Sequence, residues 1–271
     1  MNQSGFAINK GIFSCLFFGV SALAFAGVLP LTESTVTEVF KDVKVVGAVT
    51  KAAASAKLNE QVKAPDLVRT GPGSRTELTA PDETITRIGA STVFSFDSDG
   101  RSINLERGSV LFHSPAGKGG GSIKAGGASA AVLGTTIICV VMQDHSFKTI
   151  VAEGNGKVTL RDGRFIELKE GEMCVVSPDG ESYVLKEVDL RKIVPRLLLV
   201  SGFTHPLSSL PLIEAAIERQ HAGMNGDSSG ELLSSPFVTA ELDLLDDGLA
   251  GHSNNPPKHE IIFMSPVLSG H

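Results

Sequence analysis

Between two strand-like runs, the stretch HSPAGKGGGSIKAGG (residues 113–127) sets glycines at 117, 119, 120, 121, 126 and 127 beside Lys118 and Lys124. That composition raises the chemistry of a phosphate cradle. A Walker-type loop needs Gly-x-x-x-x-Gly-Lys and then Ser or Thr, so that backbone amides surround the phosphates and a hydroxyl reaches magnesium. Counted from Gly117-Lys118, the leading glycine falls on Phe112 and the hydroxyl on Gly119, so two required positions fail. The dinucleotide fingerprint fails as well: Gly117-x-Gly119 leads to Ser122, Gly119-x-Gly121 leads to Lys124, and no strand-to-helix unit surrounds either. The run is expected to be a long hairpin connection, on which mobile lysines could touch an anionic ligand.

Nucleophilic chemistry has one near match. Gly127-Ala128-Ser129-Ala130-Ala131 approaches a nucleophile elbow, but Ala131 stands where the last glycine belongs, and VLGTTIICVV after it reads as a strand rather than a helix. His113, His145 and His205 each adjoin turn or loop residues in no metal-binding spacing, and surface positions are expected for them. Cys139 with His145 is too isolated for a metal site. Paired carboxylates for glycoside cleavage are defined in space rather than in sequence. Sugar clefts, however, rely on aromatic side chains, and this chain has no Trp and one Tyr, Tyr183. No catalytic, cofactor-binding or metal residue is therefore assigned. A hydrolase joining a histidine to Ser129 or to carboxylates is the least favoured alternative.

The elements that would position any site lie behind an export signal. MNQSGFAINKGIFSCLFFGVSALAFA has Lys10, then an apolar stretch shorter than the roughly 20 residues a membrane helix needs, then Ala24-Phe25-Ala26. Residues 1–26 are expected to be a signal peptide cleaved after Ala26, which makes the mature chain periplasmic or secreted, with no stable membrane span. Cys139 and Cys174 remain, both in apolar runs, and two buried thiols are favoured over a bridge. Loss of Lys10 takes the formal net charge from -6 to -7; residues 223–271 hold seven acidic side chains against Lys258, a net of -6, so residues 27–222 carry -1. Nucleic-acid binding needs a cationic stripe, and none is present.

From Thr35 to Ser182 apolar residues recur mostly at period two, as in Ile103 and Leu105, Val158 and Leu160, and Ile166 and Leu168. Glycine-bearing turns such as Arg107-Gly108, Glu153-Gly154, Asp162-Gly163 and Glu170-Gly171 punctuate the strands. INLERGSVLF (103–112), IVAEGNGKVTL (150–160) and IELKEGEMCVV (166–176) echo one another, each reading as one hairpin with glycine at its corner. The expected fold is all-β: stacked hairpins forming a β-sandwich or short β-solenoid-like domain over 27–185, with open strand edges that allow self-association. Residues 186–222 read as a short helical extension. DLRKIVPRLLLV gives a helix stopped near Pro195; a second has Ser209 as N-cap, Pro211 in its first turn, and Leu210, Ile213, Ala216, Ile217 and Gln220 at helical spacing. Residues 223–271 are expected to form an acidic, disordered tail, in which Leu242, Leu245 and Leu249 share one helical face that a partner would be able to order.

Residues 66–176 resemble the FecR-domain family. The match is carried by Arg69-Thr70-Gly71, Leu105-x-x-Gly108-x-Val110-x-Phe112, Val132-Leu133-Gly134-Thr135, Val151-x-Glu153-Gly154 and Leu168-x-x-Gly171. STVTEVFKDVKVV and LNEQVKAPDLVRTG resemble its leading strands. The resemblance implies an extracytoplasmic all-β module without catalytic residues or cofactors. In the best-known members this domain carries a signal from an outer-membrane transporter, through a membrane helix, to a cytoplasmic sigma-factor-binding segment. This chain lacks that segment, so direct anti-sigma activity is not expected. Asp82-Glu83 replaces the usual Asp-Gly, and Asn59-Glu60 the usual Gly-Asp. The glycines are read as turn formers, with Gly134 allowing close backbone approach inside a strand; Leu105, Phe112, Val132 and Leu168 are read as core. Arg69 and Glu153 are candidates for a mutual ion pair or a partner contact. The expected function is non-catalytic protein binding or envelope organisation through an unidentified envelope or membrane protein. The alternative is a stand-alone sensor domain of a sigma-factor or transport signalling system.

Overall fold

The computed structural model describes residues 30–98 and 100–226. The expected signal peptide, residues 1–26, lies outside the described residues, as do Asp99 and all of the expected tail beyond Gly226, including its three leucines.

The first half of the chain forms β1 (Glu33–Phe40), β2 (Val43–Val46), β3 (Ala53–Ser55), β4 (Gln61–Lys63), β5 (Leu67–Thr70), β6 (Arg75–Thr79), β7 (Ile85–Ile88), β8 (Val93–Phe96) and β9 (Ser102–Ser114). The second half forms β10 (Gly121–Ala125), β11 (Ala128–Val132), β12 (Thr135–Val141), β13 (Phe147–Glu153), β14 (Asn155–Thr159), β15 (Phe165–Lys169), β16 (Glu172–Val176) and β17 (Tyr183–Glu187). Two sheets result. Sheet A runs β4-β1-β6-β7-β9-β12-β13-β16-β17. Sheet B runs β3-β2-β5-β8-β9-β10-β11-β14-β15.

β9 belongs to both sheets. Its first half pairs with β8 in sheet B, its second half with β7 and β12 in sheet A, and it changes sheet at Arg107-Gly108. The three echoing segments are therefore not hairpins. INLERGSVLF is this one bent strand, and the other two cross between sheets at Gly154, from β13 to β14, and at Gly171, from β15 to β16. The hairpins that do stack are β10–β11, β12–β13, β14–β15 and β16–β17.

The glycine run is corrected in the same way. It leads from the sheet A half of β9 to β10, which lies parallel to the sheet B half of β9 with Ser122 beside Ser102, so it is a crossover and not a hairpin connection. Two of its glycines are needed for close contact, whereas an added Cβ at Gly117 or Gly126 would meet nothing within 4 Å. A Cβ on Gly120 would lie 2.0 Å from the Val132 carbonyl oxygen, and one on Gly121 would lie 2.6 Å from the Phe112 ring. Lys118 pairs with Glu83 at 3.7 Å and Lys124 with Asp97 at 2.7 Å.

One core fills the space between the sheets, from Val36, Leu78 and Phe112 of sheet A to Phe94, Ile123 and Leu168 of sheet B. A second core lies on the outer face of sheet A, where Leu111, Ile138, Ile150 and Met173 meet the helical extension. That extension comprises α1 (Leu190–Ile193), a 3-10 turn over Val194–Arg196 that takes in Pro195, α2 (Leu198–Ser201) and α3 (Leu210–Gly226). α3 runs four residues past the expected boundary at 222. The middle of sheet A is thus covered on both faces, and every residue of β13 is buried. β15, in sheet B, keeps charged Glu167 and Lys169 in solvent and Leu168 inside. Cys139 and Cys174 are free, buried thiols on the inter-sheet face. Burial pushes both up to about 12, against one Thr149 hydrogen bond at Cys139, which leaves neither nucleophilic at neutral pH.

Candidate protein-docking site

Four polar side chains converge where α3 meets sheet A. Thr136 Oγ1 lies 2.9 Å from His113 Nδ1, 2.8 Å from Glu153 Oε1 and 2.8 Å from Ser209 Oγ. A threonine hydroxyl has one hydrogen, and Glu153 Oε1 and Ser209 Oγ both stand as its acceptors, while the His113 ring nitrogen completes the contacts of Thr136 Oγ1. The cluster holds a hydroxyl, an imidazole and a carboxylate, the parts of a hydrolytic relay. Yet Thr136 and Ser209 have no exposure and His113 and Glu153 have 5% each, so no substrate reaches them. Satisfied polar groups of this kind fix one packing arrangement. Here they fix α3. His113 is accordingly a core residue and not the surface residue expected, whereas His145 is exposed in the β12–β13 turn with φ 67.

A second set of contacts latches the extension to the same outer face of sheet A at β7. Arg87 on β7 is fully buried; it donates to Glu77 Oε2 at 2.8 Å and to the carbonyls of Leu199, Val200 and His205 at 3.3, 2.9 and 2.7 Å. Its guanidinium lies 4.3 Å from the Phe203 ring centroid. A helix as short as α2 leaves its carbonyls without partners, and Arg87 supplies them. Glu38, at the edge of this latch, accepts the backbone N–H groups of Thr204 and His205 and the His205 ring, each at 2.9 Å. Burial alone would raise its carboxyl, but these donors outweigh it and bring it down from 4.5 to about 2. A depressed carboxylate contributes stability above its unfolded value and loses it as pH falls through the folded one. The amide resonances of Thr204 and His205 should therefore begin to move below pH 4.5 and finish near pH 2 in an NMR titration. Glu38→Gln should abolish that transition.

The end of the sandwich formed by β15 and β17 is open. Among the described residues β17 is the last strand of sheet A, and all five of its residues are exposed, Tyr183, Val184 and Leu185 at 42–44%. Val188 N–H bonds to the Gly171 carbonyl at 2.8 Å and Ser177 N–H to the Ser182 carbonyl at 2.9 Å. Antiparallel alternation then gives the amides of Val184 and Lys186 to β16 and turns those of Tyr183, Leu185 and Glu187 outward. Beside this edge an open groove of about 610 Å³ runs between Phe165, Ile166 and Tyr183, walled by Asp162 and Arg164. Phe165 is 55% exposed. A strand edge beside an apolar groove is what strand addition uses: backbone bonds along the edge, alternate side chains in the groove.

Residues 66–157 match the family model described as FecR protein. About a third of the chain is thus similar to a FecR domain. No curated protein matches the chain. Among solved structures, two of a candidate anti-sigma factor from Parabacteroides distasonis ATCC 8503 are similar, at 20% identity with TM-score 0.43 and 22% with TM-score 0.42. Each covers 49% of this chain, and this chain spans less than two thirds of theirs, 64% and 63%. The matched stretch runs from the threshold of β5 into β14, so the β15–β17 end and the helical extension are built outside it.

Within and just beyond the FecR segment, the residues singled out by sequence gather at the corners between sheets. Gly71 lies between β5 and β6; Gly108, Gly134, Gly154 and Gly171 have φ of +86, +66, +77 and +79. Gly134 thus sits at the β11–β12 corner and not inside a strand. Leu105, Val110, Phe112, Val132 and Leu168 are in the inter-sheet core. Thr70 Oγ1 donates to the Gly89 carbonyl at 2.6 Å and accepts from Thr92 N–H, Thr92 Oγ1 accepts from Ser109 N–H, and Thr135 Oγ1 donates to the Asn155 carbonyl at 2.8 Å. Buried hydroxyls thereby replace the ladder bonds that each corner interrupts. Thr92 and Ser109 carried no signal by themselves. Arg69 is exposed on β5 while Glu153 is buried against Thr136, so the two do not pair. Ser129, on β11, faces Lys124 and Thr159 across the ladder. Gln220 is a clasp: it accepts from Leu190 N–H at 3.0 Å and donates to the Val188 carbonyl at 2.8 Å.

The two departures from the family's turns fall where glycine would be relaxed. Asn59 has φ 67 and Glu83 φ 70. Asn tolerates this region, but a glutamate pays about 1–2 kcal/mol. Glu83→Gly should raise stability by about 0.5–1 kcal/mol once the greater chain entropy of glycine is set against that strain, read as a shift in the urea midpoint. The exposed Glu83–Lys118 pair at 3.7 Å adds little in the other direction.

Proposed function

We propose that this chain is an exported, non-catalytic signalling module that binds a protein at its open β15–β17 end. The observation that carries the reading is the β17 edge, with three amides turned outward beside the Phe165–Tyr183 groove. The FecR match supports a regulatory rather than a catalytic role, and the one assembly of hydroxyl, imidazole and carboxylate described above is sealed under α3. Export through the 1–26 segment would put this surface in the envelope, where an envelope or membrane protein is its natural partner. No helix among the described residues is long and apolar enough to cross a membrane. A photo-crosslinking amino acid at position 185, expressed in the native cell, should capture a protein, and the same group at Lys57 on the far end should not. Equal capture at both positions, or none at 185, would remove the docking site from the open end.

A further inference from the structure

The open end presents a strand that is complementary to itself, and we infer that its partner is a second copy of this chain, joined by antiparallel pairing of β17 with β17 about a two-fold axis through Leu185. The inference rests on the open end being the docking surface and names what docks there.

Edges elsewhere are blunted. β3 is three residues of Ala and Ser, and β4 is three residues ending at Lys63 and followed by Pro65. β15 alternates Phe165 with charged Glu167 and Lys169. Short length, lysine and proline are the usual protections against edge pairing. β17 has five residues and no proline, and it exposes three consecutive large hydrophobics.

Its register closes on itself. The outward amides belong to Tyr183, Leu185 and Glu187, all odd-numbered. An axis through Leu185 sets Tyr183 opposite Glu187 of the other copy, Leu185 opposite Leu185, and Glu187 opposite Tyr183. Every outward N–H and carbonyl on both strands then finds a partner in hydrogen-bonded pairs. On the other face Val184 lies opposite Lys186, whose stem covers it. No like charges face each other directly, and antiparallel alignment sends the two Lys186-Glu187 ends apart. Shifting by one residue would bring the amides already bonded to β16 against the partner, so registers of the other parity make no ladder. The arrangement is isologous and closed, and sheet A continues through both molecules. Tyr183 and Leu185 project on the inter-sheet side, because their partners Val176 and Cys174 belong to that core. Pairing therefore also brings the two Phe165–Tyr183 grooves toward the axis.

Sedimentation of the mature chain at micromolar concentrations should show a monomer–dimer equilibrium. Leu185→Lys, at a 44% exposed site that the fold tolerates, should weaken it by about tenfold or more by placing like charges on the axis. Register is tested by oxidation. Leu185→Cys should give a covalent dimer, because paired Cα atoms about 5.5 Å apart admit a disulfide; Lys186→Cys, which faces Val184, should not. A monomeric mature chain, a dimer indifferent to Leu185→Lys, or equal crosslinking at 185 and 186 would each overturn the inference. So would a chain that dimerises only after residues 227–271 are removed, which would give the edge to that segment. Capture of a different protein at position 185 by a monomeric chain would leave the docking site standing and remove only the second copy.

Discussion

Arg87→Met should lower the unfolding free energy by about 3–5 kcal/mol, the cost of breaking a buried ion pair from one side. The guanidinium has no exposure, and Glu77, its partner at 2.8 Å, is 10% exposed. Methionine of similar length fills the space but leaves the carboxylate uncompensated and the carbonyls of Leu199, Val200 and His205 without donors. Each orphaned buried acceptor costs about 1–3 kcal/mol in desolvation. Arg87→Lys should fail nearly as badly, since an ammonium cannot fork toward the carboxylate and α2 together or stack on Phe203. Adding Glu77→Gln to Arg87→Met should recover part of the loss, because the buried charge is gone. Urea unfolding with an unchanged slope measures all three. A loss under about 1 kcal/mol for Arg87→Met would mean that the helical extension is not latched to sheet A through this side chain.

Arg87 also marks the limit of what the sequence discloses. In Ile85-Thr86-Arg87-Ile88 alternation assigns the arginine to solvent, which is sound for a sheet with one wet face. The outer face of sheet A is covered by residues 190–217, and nothing within β7 announces that. Sheet B, with β14 and β15 half in water, follows the alternating pattern that was read. β12 and β13, buried on both faces, appear in the sequence as TTIICVV and FKTIVAE, in which the apolar runs IICVV and IVA carry no alternation and the buried Thr136, Lys148 and Glu153 read as solvent residues. The helices were legible from Ser209, Pro195 and the spacing of Ile213 and Ala216 because those signals are local. The cluster of His113, Thr136, Glu153 and Ser209 was not: Thr136 and Ser209 are 73 residues apart and meet only when α3 docks. The open end was half legible. Tyr183 stood out as the one tyrosine, but that β17 would be an edge depends on strand order. The corner glycines were identified but misassigned, since a glycine at a hairpin and one at a change of sheet look alike until the neighbouring strands are known.

That difference decides what Gly108→Ala should do. At a hairpin tip an alanine with φ near +86 bears mainly the left-handed penalty, about 1–2 kcal/mol, as expected for Gly163→Ala, where φ is +88 and nothing lies within 4 Å of an added Cβ. Gly108 has the same backbone demand in a crowded place. Its Cβ would lie 2.3 Å from Thr92 Oγ1, 2.6 Å from Thr92 Cα and 2.8 Å from Thr92 Cβ. The Cα belongs to the backbone and cannot rotate away, so β8 and β9 must separate where they are tied by the Ser109 N–H to Thr92 Oγ1 bond at 3.0 Å. Thr92 in turn donates its own amide to Thr70 Oγ1 at 2.9 Å, so displacement at one corner reaches the next. Overpacking of about 1–3 kcal/mol adds to the backbone term, and the total for Gly108→Ala should be about 3–5 kcal/mol. Gly154→Ala, whose Cβ would meet the Thr135 hydroxyl at 2.9 Å and the Gly134 carbonyl oxygen at 3.2 Å, contacts less severe than those at Gly108, should fall between the two. Thermal or urea unfolding of the three variants orders them directly. If Gly163→Ala and Gly108→Ala cost the same, the glycine at 108 serves its own dihedral alone, and the hydroxyl-tied corners do not hold the two sheets at a fixed separation.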